Sequence, residues 1–137
     1  MKDAPLVEKR LSHIVETVER IRRLARPSLF DTDLVQLGFV ERNLQTAIQA
    51  MLEVAATVVA NHHLGAPSTN AALFDLLAQM GWMTADRAPV FRRIVGFRNI
   101  LVHRYVEIDV GIIRSIVERH LEDLLDFVRL VRARTDA

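Results

Sequence analysis

Between Asp33 and Asn61 lies a proline-free stretch whose apolar residues fall into two stripes at helical spacing. One stripe runs Leu37, Val40, Leu44, Ala47, Met51, Ala55 and Val58; the other runs Ile48, Leu52, Ala56 and Val59. A helix that is apolar on two sides must be covered on two sides. The stretch therefore predicts a central bundle helix, or one that also forms a dimer interface, and the small Ala50, Ala55, Ala56 and Ala60 suit close packing of the second kind. The polar strip left over is Arg42, Gln45, Gln49 and Glu53. Asp33, with Gln36 three residues on, reads as a capping box, and Asn61-His62-His63-Leu64-Gly65-Ala66-Pro67 reads as a stop followed by a loop.

The remaining segments fit around that helix. Val7, Leu11, Ile14, Val18, Ile21 and Ala25 give a first helix over about 4–25, which Arg26-Pro27 must end because a residue before proline leaves the α region. A short helix over about 70–80 closes at Gly81. A fourth begins near 84–86 and runs to about 102, with Pro89 tolerable in its first turn. A fifth, N-capped by Asp109, carries a seam of Val110, Ile113, Val117, His120, Leu124, Phe127 and Val131 to about 133. Residues 100–110 alternate like a strand, yet no second strand candidate exists to pair with them. The reading is all-α: an antiparallel four-helix bundle with an additional short helix, as one domain over 1–137.

Composition narrows the function. The chain has 137 residues, enough for one core, and no Cys, so neither disulfides nor a thiolate metal site is available. No signal peptide or stretch of about 20 apolar residues is visible, which makes a cytoplasmic protein without a membrane partner the expectation. The net charge of +1 conceals a concentration of five arginines, Arg87, Arg92, Arg93, Arg98 and Arg104, against Asp86 alone between 81 and 105. Either this is a solvated helix face or it meets a localised anion. His62 and His63 are neighbours pointing about 100° apart with no carboxylate cluster, so a metal site is not expected and a helix C-terminus suits them better. His120 falls on a core seam and His13 on a polar face. The five glycines are scattered, no phosphate-binding loop is present, and no cofactor is expected.

Arg98-Asn99-Ile100-Leu101-Val102-His103-Arg104-Tyr105 is the segment that carries chemistry. A guanidinium binds phosphate through two parallel hydrogen bonds, and an imidazole moves protons near neutral pH. Together they suffice for metal-free RNA cleavage by attack of the ribose 2′-OH on the adjacent phosphorus, a route closed to DNA. On an ideal helix Arg98 and His103 lie about 140° apart, and Arg98 and Tyr105 about 20°. Arg98 and His103 can share a phosphate if the helix loosens near His103, or if both flank a groove between two protomers. Glu41 and Arg42 read first as a surface charge pair; alternatively, a carboxylate beside His103 would orient it.

This pattern of Arg, four residues, His and x-Tyr resembles the HEPN superfamily, and specifically its HepT-like toxins. The match is full over 98–105; Val40-Glu41-Arg42-Asn43-Leu44-Gln45 looks like the family's second helix, and Tyr105-Val106-Glu107-Ile108-Asp109 like its run into the last. The resemblance implies a homodimeric, metal-independent endoribonuclease of a type VII-like toxin–antitoxin system, acting on tRNA or mRNA. It implies Arg98 and His103 as the catalytic pair, with Asn99 in support; Arg104, Arg92 and Arg93 are further candidates for holding RNA. The implied partner is a minimal nucleotidyltransferase antitoxin that silences the toxin by transferring AMP to Tyr105. A competing reading is a non-catalytic nucleotide- or partner-binding subunit that docks the nucleotidyltransferase, and a third is a purely structural bundle.

Overall fold

The computed structural model describes residues 2–65, 67–102 and 109–135, and among them every regular element is helical. They are α1 (Ala4–Leu24), a 3₁₀ turn (Pro27–Leu29), α2 (Leu34–Asn61), α3 (Ala72–Gln79), α4 (Ala88–Val102), α5 (Val110–Arg119) and α6 (Leu121–Thr135). The stretch with mixed strand and helix character is helical as far as Val102, and residues 103–108 lie outside the described residues.

Side-chain ties fix the directions of the helices. Asp3 meets Asn61, Arg10 meets Glu53, and Arg20 meets Asn43. As one number rises the other falls, so α1 and α2 are antiparallel. Glu8 with Arg132 and Arg22 with Glu122 set α1 against α6 in the same sense. Gln49 with Arg98 and Gln45 with Leu101 do so for α2 and α4. The Arg132 guanidinium, 2.6 Å from Glu8 Oε1, is the main cause holding the Glu8 carboxyl below its ordinary range.

Most of both stripes of α2 is buried within one chain, Leu37 partly and Ala56 not at all. Val40, Leu44, Ala47, Ile48, Met51, Leu52, Val54, Ala55, Val58 and Val59 are all buried, so this is the central helix of the bundle. Of the four alanines suited to a dimer contact, Ala50 and Ala55 pack into the protomer's own core, whereas Ala56 and Ala60 are exposed. Around α2 the largest side chains collect in one place. Phe74, Phe91 and Phe127, from α3, α4 and α6, sit with ring centroids 5.6–6.2 Å apart.

Local signals acted largely as their chemistry requires. Asp33 caps α2, its side chain accepting from the N–H groups of Val35 and Gln36. The capping box is only half formed. Gln36 turns away from Asp33 to accept from the Arg26 N–H and donate to the Leu24 carbonyl, while the Asp33 N–H donates to Leu29 O. Gln36 thus pins the end of α1 to the start of α2, satisfying a carbonyl at the α1 terminus that would otherwise lack a partner. Gly81, at φ +79°, ends α3 by donating to Ala78 O while the Trp82 N–H reaches back to Leu77 O, a closure that needs a left-handed residue.

The single fifth helix expected over 109–133 is in fact two. Asp109 caps α5 by accepting from the Gly111 N–H, but the helix stops at Arg119 and α6 restarts at Leu121. The break falls at His120, whose backbone leaves helical values at φ −114° and ψ −3°. Its imidazole Nδ1 lies 3.0 Å from Asp123 Oδ2 in the first turn of α6, and its ring packs 5.4 Å from that of Phe97. The His120 side chain thus finds its partners at the junction while Leu121 and Leu124 stay buried. A seam counted in sequence cannot register such a restart, because the apolar spacing survives it.

Candidate functional site: a polar groove beside Arg98

The polar strip of α2 has a structural destination. Gln45, Gln49 and Glu53 recur every fourth residue and so stand on one side of the helix. Opposite them α1 presents Arg10 and His13, three residues apart, and α4 presents Arg98. These side chains, with Thr46 and Ala50, line an open cavity of about 460 Å³. That is within the range of about 300–1,000 Å³ typical of small-ligand sites.

A chain of hydrogen bonds crosses this groove. Arg98 Nε donates to Gln49 Oε1 at 2.9 Å, Gln49 Nε2 donates to Glu53 Oε1 at 3.3 Å, and Arg10 Nε donates to Glu53 Oε2 at 2.7 Å. The amide of Gln49 can take only one orientation here. Turned over, it would point its NH₂ at a guanidinium and its oxygen at a carboxylate. With Nε committed, the two terminal nitrogens of Arg98 form the edge that remains for an anion, and no other hydrogen bond engages them among the described residues. Gln45 Nε2 donates at 2.5 Å to the carbonyl of Leu101, one of the last four of α4, and so holds the C-terminal end of the helix that carries Arg98.

The other residues expected at the site are placed as follows. Asn99 is on α4 and exposed. His103, Arg104 and Tyr105 lie outside the described residues. Arg92 is not brought to the groove: it pairs with Asp75 of α3 at 3.2 Å, beside a separate depression. Arg93 and Arg42 are exposed and line neither cavity. Arg87, from the same arginine-rich segment, is taken up by Asp123 and Asp126 of α6 and lies over the ring of Phe91. Two of the five arginines in that segment, Arg87 and Arg92, are therefore paired with carboxylates of other helices.

Glu41 corrects its first reading. It is only 4% exposed, not half of a surface charge pair, and a carboxylate taken out of water needs partners. His62 caps the end of α2, with Nδ1 2.9 Å from Val58 O and its ring edge-on to Trp82, as a helix C-terminus favours. Arg10, His13, Gln45, Gln49 and Glu53 were not singled out from sequence as site residues. The available signal was the every-fourth-residue polar strip on an otherwise apolar helix. The carboxyls of Glu8, Asp86 and Glu122, lowered by their hydrogen-bond partners, all lie outside the groove. Among the described residues no group of three or more His, Asp or Glu is placed to hold a metal, and no helix is long and apolar enough to cross a membrane.

Comparison with known proteins adds to this geometry. The family model described as "Ribonuclease HepT-like" matches residues 11–131. The chain is 30% identical over 129 residues to the mRNA nuclease HepT of Shewanella oneidensis, covering 93% of this chain and 97% of that protein. Its fold is similar, with a TM-score of 0.86 and 30% identity, to a tri-AMPylated Shewanella oneidensis HEPN toxin solved in complex with an MNT antitoxin, over 97% of this chain and 99% of that one. A toxin–antitoxin structure with AMP-PNP gives a TM-score of 0.88 at 28% identity, covering 94% and 98%.

Proposed function

We propose, from the premise that this chain belongs to the HepT-like ribonuclease family, that it is a metal-independent endoribonuclease, the toxin of a toxin–antitoxin pair. The observation that carries the reading is the family match over 11–131, which spans Arg98 and His103, taken with the exposed edge of Arg98 at a polar groove. The proposed substrate is RNA, with mRNA favoured by the relative's activity and tRNA the other candidate.

The chemistry follows from the residue types. The ribose 2′-oxygen bonds to phosphorus, the bond to the 5′-oxygen breaks, and His103 carries a proton from the first oxygen toward the second. Arg98, its Nε held by Gln49, offers two parallel N–H donors to the phosphate oxygens as charge builds on them. Asn99 supports the pair, and Arg104 contacts the RNA backbone. Because an ideal helix continued through the motif would set Arg98 and His103 about 140° apart, a homodimer that assembles the site across a two-fold axis suits this mechanism. Sedimentation at micromolar concentration is expected to give twice the monomer mass; a monomer there would count against a composite site.

The partner follows from the relatives solved with their antitoxins. A nucleotidyltransferase antitoxin would transfer AMP to Tyr105, placing negative charge and bulk beside the phosphate site and repelling an anionic substrate. A cytoplasmic location accords with that pairing. The direct test is RNA cleavage by purified protein in EDTA with intact mass measured in parallel. Cleavage that persists in EDTA is the expected result. An inactive protein carrying the added mass of AMP would identify the silenced form. An inactive protein of unmodified mass would favour a subunit that binds nucleotide and docks the nucleotidyltransferase without cleaving RNA.

A further inference from the structure

The groove holds a second guanidinium in the same state as the first. Arg10, on α1, has its Nε committed to Glu53 Oε2 at 2.7 Å, as Arg98 has its Nε committed to Gln49, and Gln49 and Glu53 join the two. Each arginine therefore keeps its pair of terminal nitrogens for another acceptor, and among the described residues neither pair is engaged. The Arg10 side chain is 29% exposed and lines the cavity. Glu53 accepts from both sides, which offsets one positive charge and leaves the two arginines and Glu53 at a net +1, with His13 lining the same cavity. The result is two fork-shaped donors, one from α1 and one from α4, linked through Gln49 and Glu53 of α2, an arrangement that suits two phosphates of a single strand better than one compact anion.

We propose that this groove is a second phosphate subsite for single-stranded RNA, in which Arg10 takes the backbone phosphate next to the one that Arg98 binds. The inference rests on the ribonuclease reading above. Gln49 and Glu53 are positioning residues within it: they set the separation and direction of the two guanidiniums without touching RNA. Arg10 accordingly contributes to how the strand is held and in which direction it crosses the site, while the chemical step belongs to Arg98 and His103.

The test uses salt dependence, which separates a phosphate contact from a structural one. Binding of a short 2′-O-methyl RNA, which cannot be cleaved by its own 2′-hydroxyl, is measured across a salt series for the full chain and its variants. Each phosphate contact to a single strand contributes about 0.7 to the slope of log affinity against log salt. Arg10→Gln, which keeps a donor for Glu53 and removes the charge, is expected to lower the slope by about 0.7, and Arg10→Lys to retain it. Arg98→Gln should lower it by a similar amount, and the double variant by about twice as much. Weaker binding by Arg10→Gln with an unchanged slope would overturn the subsite and leave a structural tie between α1 and α2. If Arg98→Gln lowers the slope while Arg10→Gln does not, the subsite alone fails. If the wild-type chain, shown by intact mass to carry no AMP, neither binds nor cleaves RNA, the ribonuclease reading fails and the subsite with it.

Discussion

RNA cleavage should fall by at least about a hundredfold when either His103 or Arg98 is replaced by alanine, the scale on which a general acid–base or a charge-stabilising group acts. The two losses should not add. Residues that act on one phosphate as a unit are strongly non-additive, so His103→Ala/Arg98→Ala should resemble the worse single variant. The fold should survive at Arg98, because the side chain is half-buried and its described tie is one hydrogen bond to Gln49, whose oxygen would then face water in an open groove. Thermal melting close to wild type, alongside lost cleavage, would therefore separate chemistry from stability. Arg98→Lys should restore little, since an ammonium cannot offer the flat two-donor edge while also holding Gln49. Full cleavage by either alanine variant would remove that residue from the mechanism. Full cleavage by both would place the activity elsewhere in the chain.

Phe91→Ala should cost about 3–5 kcal/mol of folding stability, a large share of the roughly 5–15 kcal/mol that holds a domain of this kind together. Phe91 is fully buried between Phe74 and Phe127, and the Arg87 guanidinium lies over its ring 5.4 Å from the centroid. Removing the ring leaves a cavity where α3, α4 and α6 meet, and these helices have no other aromatic cluster of that size among the described residues. The melting temperature should drop by on the order of 10 °C. Phe91→Leu, which keeps much of the apolar volume, should cost clearly less. Calorimetry or denaturant unfolding checks both, and an alanine variant that melts within a degree or two of wild type would refute the assignment of this cluster as the keystone of the bundle. The effect bears on function as well. Phe91 and Arg98 are seven residues apart on α4, close to two full turns, so a loosened Phe91 should let the segment carrying Arg98 shift.

The helical class, the positions of most helices and the candidate motif over 98–105 were legible in the sequence because each depends on local periodicity or on a short run of residue types. Apolar spacing near 3.5 places α1 and α2, proline ends α1, Asp33 and Asp109 cap α2 and α5, and glycine closes α3, each through an interaction a few residues long. Arg98 and His103 stood out for the same reason, as neighbours in one short segment.

What the sequence could not decide was set by contacts between residues far apart in the chain. The five arginines between 81 and 105 look alike in order, yet Arg87 is claimed by Asp123 and Asp126, Arg92 by Asp75, and Arg98 by Gln49. Only packing distributes those partners, because an ion pair or hydrogen bond reaches about 3 Å and says nothing of distance along the chain. In the same way the polar strip of α2 became a groove only when α1 brought Arg10 and His13 against it and α4 brought Arg98. At the break by His120 the distant partner is Phe97, whose ring packs against the imidazole. Sequence determined the helical class, most of the helices and the Arg98–His103 motif; the tertiary structure determined where the last helix breaks and which residues face the same cavity.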